Sequence, residues 1–346
     1  MRMMRPATWV SGAVVVAVVA AGCSAKSDSP SSAGGGSTSG QAATGSVSVS
    51  GSSTVLPISQ LVAERFSGAN PAAQVGVDGP GTGDGFVLFC AGTTDINDAS
   101  RQIESTEAKA CKQAGVHYVE LEIGLDGITV MTNPANGAVT CLTKGDLYAL
   151  FGPESQGFSS WSDANALAQQ LGGTGNFPDA PLSIVAPGEE SGTYDSFISL
   201  AGIEDQAIAD GVPADQAATL RPDYQSSPND SVIIQGIEGS DTALGFVGFA
   251  YADQQGGGVI KLGIDGGDGC VVPSNETIAD GTYPLSRSLY VYVNTDELAS
   301  NPTLAAFVDY YLSDAGIAAV TDADYVSIPA ERLAATREAW SQAGGM

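Results

Sequence analysis

Basic residues are scarce in this chain. Thirteen Lys and Arg stand against 39 Asp and Glu over 346 residues, a formal charge of -26. That balance excludes generic binding to nucleic acid or to an anionic membrane, both of which need a positive surface. Histidine is nearly missing, His117 being the only one, and no C-x-x-C spacing occurs. A zinc site is therefore not expected, and no pattern calls for another metal or a cofactor. No repeat of the solenoid kind recurs. The apolar run from Trp9 to Ala21 is too short for a comfortable membrane span.

What is present begins with a targeting segment, residues 1–22, in which Arg2 and Arg5 precede that apolar run. Ala20-Ala21-Gly22-Cys23 closes it and resembles the lipobox of bacterial lipoproteins, with Ala20 where Leu is usual. The resemblance implies cleavage before Cys23 and a lipid on that cysteine, which would hold the protein at the extracytoplasmic face of the cell membrane. Ser24 to Gly45 is nearly all Ser, Gly, Ala and Thr. Such a stretch buries no core and is expected to be a flexible linker of roughly 25 Å reach. About 300 residues remain, enough for two lobes each with a core. Four cysteines follow Cys23, namely Cys90, Cys111, Cys141 and Cys270. An even number in an exported chain reads as two disulfides. Three pairings are possible; the expected one is Cys90–Cys111 with Cys141–Cys270, because the first pair falls in one local unit.

Apolar periodicity orders the remainder. Ser46 to Ser50 alternates with Val and predicts a strand. Thr54 is placed to cap a helix whose buried side carries Ile58, Leu61, Val62 and Phe66, with Pro57 tolerated in its first turn. Gln74 to Asp78, Val116 to Thr132, Leu182 to Val185 and Leu289 to Val293 read as further strands. Phe86, Phe89 and Cys90 mark a second helix. Leu142 to Phe151 reads as another, and Leu304, Phe307, Val308, Tyr311 and Leu312 form a clean helical stripe. Alternating strands and helices predict α/β architecture, in which ligands bind beyond the strand ends where helices begin.

Three short turns share one chemistry. They are Gly51-Ser52-Ser53-Thr54, Gly81-Thr82-Gly83-Asp84-Gly85 and Ser191-Gly192-Thr193. Each is expected to open a helix, where backbone N–H groups lack internal partners and the helix end carries about half a positive charge. Glycine admits close approach, and Ser or Thr adds a hydroxyl donor. Taken singly, each turn is more simply a cap or a glycine turn; together they point to one oxyanion site. A fourth element is Asp95 to Arg101. Arg101, next to Ser100, can grip a tetrahedral anion with two parallel bonds. A surface ion pair with Glu104 or Asp98 is the plainer alternative.

These residues carry a resemblance. The stretches Gly51 to Ile58, Gly81 to Phe86, Asp95 to Ile103, Pro187 to Asp195 and Ala243 to Tyr251, in that order, resemble the phosphate-binding proteins of bacterial phosphate ABC transporters. The likeness runs over essentially everything after residue 46. It implies a two-lobed periplasmic-binding-protein-like fold with phosphate in the interlobe cleft. Lobe one would be residues 46–128 plus 289–346, lobe two residues 129–288, with the Tyr118 to Thr132 and Leu289 to Val293 runs as crossings. Carried over by position, Thr54, Val55, Thr82, Ser191, Gly192 and Thr193 supply contacts; the residues' own chemistry adds Ser53, Gly83, Ser100, Arg101 and Glu190 to the expected ligand set. Ser100 falls where many members have an aspartate, and Pro187 where many have an arginine. Arg101 is the residue expected to restore the positive charge.

Phosphate usually keeps a proton at neutral pH, and a carboxylate that accepts it would repel sulfate. Glu189, Glu190 and Asp84 are the candidates. The expected role is capture of inorganic phosphate and delivery to the permease subunits of an ABC transporter, with no enzymatic step. Other readings are a binding protein for another oxyanion, or a secreted hydrolase using Ser191 or Ser53. The hydrolase lacks the glycine two residues before Ser191 and would have to use His117.

Overall fold

The computed structural model describes residues 43–189 and 191–345. The targeting segment, Cys23, the linker up to residue 42 and Glu190 lie outside the described residues. No helix among the described residues is long and apolar enough to cross a membrane.

Twelve strands are formed: β1 (Ser46–Gly51), β2 (Gln74–Val77), β3 (Ile96–Ala99), β4 (Tyr118–Thr132), β5 (Cys141–Thr143), β6 (Ser183–Ala186), β7 (Gln225–Ser226), β8 (Ala243–Gly248), β9 (Ile260–Lys261), β10 (Gly263–Asp265), β11 (Cys270–Val271) and β12 (Ser286–Asn294), counted among the described residues. The large sheet runs β2-β1-β3-β12-β4-β8-β6-β7, with β9 beside β4. Strands β1 to β3 are mutually parallel, as are β6 to β8, and each group is joined to β4 or β12 by antiparallel pairing. Between the two groups, β4 and β12 run antiparallel from Ser286 opposite Gly127 to Asn294 opposite Tyr118. The fifteen-residue β4 thus pairs with β12 along its first part and with β8 along its last.

Two main hydrophobic cores flank this crossing. One gathers Val47, Val49, Ile58, Val62 and Phe66 with Leu304, Phe307 and Trp340. The other gathers Leu147 to Phe151, Trp161, Phe197 and Phe246. Strand β4 feeds both, giving Leu121 and Ile123 to the first and Leu125, Ile128 and Val130 to the second.

The predicted strands and helices are present with small shifts at their ends. The Leu142 to Phe151 helix begins at Lys144, because Cys141–Thr143 pairs with β10. One local reading is corrected. Thr54 does not cap the Leu56–Ala69 helix; the cap position is Val55, without a side-chain bond. Ser52 Oγ instead accepts from the Thr54 and Val55 N–H groups, at 3.2 and 3.4 Å. The buried Thr54 hydroxyl faces away from its own turn, toward Ser196 and Arg287. Gly51, at φ 139°, is required here, since a side chain would meet the Asp98 backbone.

Both expected disulfides are closed. Cys90–Cys111 ties the Thr82–Cys90 helix to the Ser105–Ala114 helix. Cys141–Cys270 spans the small sheet β11-β10-β5 and links residues 129 apart. A loop that long strongly restricts the unfolded chain, so Cys141→Ser with Cys270→Ser should cost about 2–5 kcal/mol, read as a lower denaturant midpoint.

Asp98 in β3 is fully buried, and neither carboxylate oxygen has a hydrogen-bond partner at ordinary distance. Burial pushes its pKa from 3.8 up to about 8; the Ser59 hydroxyl opposes this and Asp78 adds to it. The sign follows from linkage. Below pH 4 both folded and unfolded forms hold the proton, and there is no penalty. Between about 4 and 8 only the folded form holds it, so stability falls with rising pH, then levels off. Asp98→Asn has no proton to lose. Its stability relative to the parent should rise steadily across that window in denaturant titrations at a series of pH values.

Candidate functional site

Packing sets where the three turns end. Ile58, Val62 and Phe66 anchor the Leu56–Ala69 helix in the first core. Phe197 stacks on Phe246 of β8 at 4.0 Å and fixes the Gly192–Ala201 helix in the second. Gly85 lets the Thr82–Cys90 helix approach β1, where a side chain would strike Asn97 and Gly51. The first two helix starts therefore face a common space, and the third abuts the first.

That space is a cavity of about 640 Å³ lined by Ser52–Thr54, Gly81–Gly83, Ser100–Gln102, Asp195, Ser199, Leu200, Glu204, Arg287, Ser288 and Tyr290. Of the residues singled out in the sequence, Ser53, Thr54, Thr82, Gly83, Ser100 and Arg101 line it. Thr82 and Ser100 are coupled, with their hydroxyls 3.2 Å apart and the Ser100 N–H donating to Thr82 Oγ1 at 3.2 Å. Val55 does not line the cavity; its side chain is buried in the first core. Ser191, Gly192 and Thr193 lie at the junction of the turns rather than on the cavity wall. A Cβ at Gly192 would sit 3.6 Å from the Ser53 carbonyl oxygen and 3.8 Å from Thr54 Cα. Ser191 Oγ caps its own helix by accepting the Thr193 N–H.

The positive charge is distributed differently from the sequence expectation. Arg101 reaches the cavity wall, but its two-pronged face is taken by Glu107, with both bonds at 2.8 Å. Glu104 stands at 3.5 Å, so the plainer ion-pair alternative is also realised. The guanidinium that enters the junction of the turns is Arg287, at the start of β12. It donates to Thr54 Oγ1 at 3.0 Å and to Ser196 Oγ at 2.8 Å, and to Ser199 Oγ at 3.3 Å. The Thr54 and Ser196 hydroxyls are themselves 3.3 Å apart. Directly across the strand pair from Arg287 lies Asp126, 3% exposed, which takes its Nε–H at 3.2 Å. Scarcity of arginine singled out Arg101 and applied equally to Arg287. What separates them is the β12–β4 register, which sequence periodicity does not fix.

The acidic residues also differ from expectation. Asp84 is exposed and does not line the cavity. Glu189 lines a separate cavity of about 320 Å³ beside Arg221. The carboxylates on the main cavity wall are Asp195 and Glu204. Asp195 accepts the Ser53 hydroxyl at 2.9 Å. Burial raises its pKa, against the lowering effects of that bond and of Arg287. His117 is 78% exposed and pairs with Asp296 at 3.0 Å, so it meets neither Ser191 nor Ser53. No group of His, Cys, Asp and Glu among the described residues could hold a metal ion.

Comparison with known proteins places this geometry. A model of the PBP superfamily domain matches residues 36–315. Protein SphX of Synechocystis is 38% identical over 288 residues, covering 83% of this chain and 79% of that protein. The phosphate-binding protein PstS of Staphylococcus epidermidis is 30% identical over 298 residues, covering 85% and 82%. The crystal structure of a possible phosphate binding protein from Planctomyces limnophilus is 33% identical with a TM-score of 0.77, covering 87% of this chain and 99% of that one. An ABC-type phosphate transport receptor from Vibrio cholerae, at 24% identity and a TM-score of 0.58, shares the fold over 82% of this chain and all of that one. The chain therefore belongs to the PBP superfamily, within its family of phosphate-binding proteins.

Proposed function

We propose that the protein captures inorganic phosphate outside the cytoplasm and delivers it to the permease subunits of an ABC transporter. The observation that carries this reading is a single cavity where the hydroxyls of Ser53, Thr54, Thr82 and Ser100 meet the guanidinium of Arg287. Tethering through a lipid on Cys23, with Ser24 to Gly45 as leash, would keep the binding protein near its permease. The proposed lobes are residues 46–128 plus 289–346 and residues 129–288. Support comes from the two main cores and from β4 and β12 running between them.

The ligand set proposed here keeps Ser53, Thr54, Thr82, Gly83 and Ser100, with the backbone of Ser191–Thr193 closing from the other side. Arg287 is its principal cation, and Arg101 a secondary donor at the rim. A charge of -26 disfavours long-range attraction, but salt screens that field within roughly 8 Å. Short bonds from donors already held in place then decide affinity. Asp195 takes the role first considered for Glu189, Glu190 or Asp84: its carboxylate accepts the phosphate proton and repels sulfate, which has none to give. Binding and release break no covalent bond. The alternative of a serine hydrolase finds no support in an exposed His117 distant from either serine's hydrogen bonds.

Calorimetry of the purified protein with phosphate, sulfate, molybdate and a phosphonate tests the reading; a preference for any of the last three over phosphate would overturn it. Arg287→Ala should weaken phosphate binding by roughly 2–5 kcal/mol, since it leaves buried partners unpaired. Arg287→Lys should also weaken it, because a single ammonium cannot reach Thr54, Ser196 and Asp126 together. Arg101→Ala should cost about 1 kcal/mol or less, its fork being spent on Glu107; a larger loss than for Arg287→Ala would reverse the assignment. Asp195→Asn should lose about 1–3 kcal/mol of phosphate affinity while gaining on sulfate. In the parent, selectivity over sulfate should fall as pH drops through the raised range of Asp195, and the Asn variant should lack that dependence.

A further inference from the structure

One polar group at the junction of the turns remains outside the ligand set. Tyr325 follows Asp324, which has φ 62° and is the one non-glycine residue with positive φ among the described residues. That left-handed turn reverses the chain after the Asp314–Asp322 helix, and its neighbours hold it firmly. The Tyr325 N–H donates to the Val320 carbonyl at 3.0 Å. Next to it, Val326 exchanges two backbone bonds with Leu125 of β4, at 2.8 and 2.9 Å. The ring packs against the first core and stays half-buried. Together with the Asp324 N–H bond to the Thr321 carbonyl at 3.1 Å, this helix termination fixes the direction in which the Tyr325 side chain leaves the backbone.

The hydroxyl is aimed at the start of the Gly192–Ala201 helix. It lies 3.7 Å from the place a Cβ on Gly192 would occupy. The same point is 3.6 Å from the Ser53 carbonyl oxygen and 3.8 Å from Thr54 Cα, so the phenol stands where the Gly192 helix start meets the Ser53–Thr54 turn, like Ser191–Thr193 off the cavity wall. Gly192 is the first residue of its helix, where N–H groups have no intrahelical partner. The charged groups bearing on the phenol are Asp126, Arg287, Asp195 and Asp324; burial first, then these carboxylates, holds it protonated, against Arg287. It is thus a neutral O–H donor. No described residue is hydrogen-bonded to it.

We propose that the Tyr325 hydroxyl is a direct donor to the bound oxyanion, a contact supplied by the C-terminal segment in addition to the three turns. The inference rests on the phosphate reading above. It explains why a polar atom without a hydrogen-bond partner among the described residues sits beside Arg287. A neutral phenol adds a hydrogen bond without a proton being gained or lost, so it serves both protonation states of phosphate.

The test is Tyr325→Phe in the otherwise unchanged protein, with phosphate affinity by calorimetry and thermal stability without phosphate. The substitution removes one oxygen and keeps the packed ring. The expected result is an unchanged melting temperature and a dissociation constant raised roughly tenfold or more, as for a lost hydrogen bond to a charge. Unchanged affinity overturns the proposal. Loss of stability in the phosphate-free protein also overturns it, since the hydroxyl would then be serving the fold. If the parent itself does not bind phosphate, the functional reading fails and this contact fails with it; parent binding with an unaffected Phe variant removes the contact alone.

Discussion

The pairing of Arg287 with Asp126 is the interaction around which the site is arranged. The two residues face each other across β12 and β4, the second of which feeds both cores. Asp126 is buried, so its charge requires a partner at close range. Arg287 supplies it and turns its remaining N–H groups toward Thr54 and Ser196, one from each helix start. A buried pair of this kind contributes little to net stability once desolvation is counted. Its value lies in orientation: the carboxylate fixes the guanidinium plane, and the plane fixes which hydroxyls it can meet. Lysine, a point charge on a flexible stem, could not be aimed in this way.

Much of the fold was legible. The strands, the helical stripes and both disulfides appear where alternation, helical spacing and cysteine parity put them. These signals are local, or in the case of the disulfides limited to three choices. The residues lining the main cavity were legible in its turns but less so in its charges. Ser53, Thr54, Thr82 and Ser100 announce themselves by sitting at glycine-rich helix starts. Arg287 carries no such mark, because its importance comes from facing Asp126 across a strand pair 161 residues apart in sequence. Asp195 lay inside a stretch already singled out, yet the glutamates before Ser191 drew attention first. A carboxylate one helical turn inside the start points back over that start, a direction that sequence spacing alone understates. Thr54 was misread as a cap because Ser, Thr and Asp all serve that role; the neighbouring Ser52 took it and freed Thr54 for the site.

The scarcity of basic residues also shapes how the site works. With few cations in the chain, the proposed site would hold an anion by donors that cannot be titrated away: hydroxyls, backbone N–H groups and guanidinium. Acidic groups at the cavity would then act as filters rather than as a general repulsion. In the proposed site Asp195 would meet the one proton that distinguishes phosphate from sulfate, and it stands on the cavity wall with its pKa raised.

The order in which the first core is assembled along the chain has a kinetic consequence. Val47, Val49 and Phe66 come from the beginning of the folded part, while Leu304, Phe307 and Trp340 come from its end. The intervening chain contributes the second core. During synthesis, the earliest strands therefore wait for nearly the whole chain before their apolar face can be covered. Contacts so distant in sequence form late and slowly. A nascent chain that cannot complete its first core stays open longer, with edges and apolar surface exposed to aggregation. If the chain is exported as proposed, the same delay would leave time for it to be threaded across a membrane before it locks, so that its fold is completed on the side where its cysteines can oxidise.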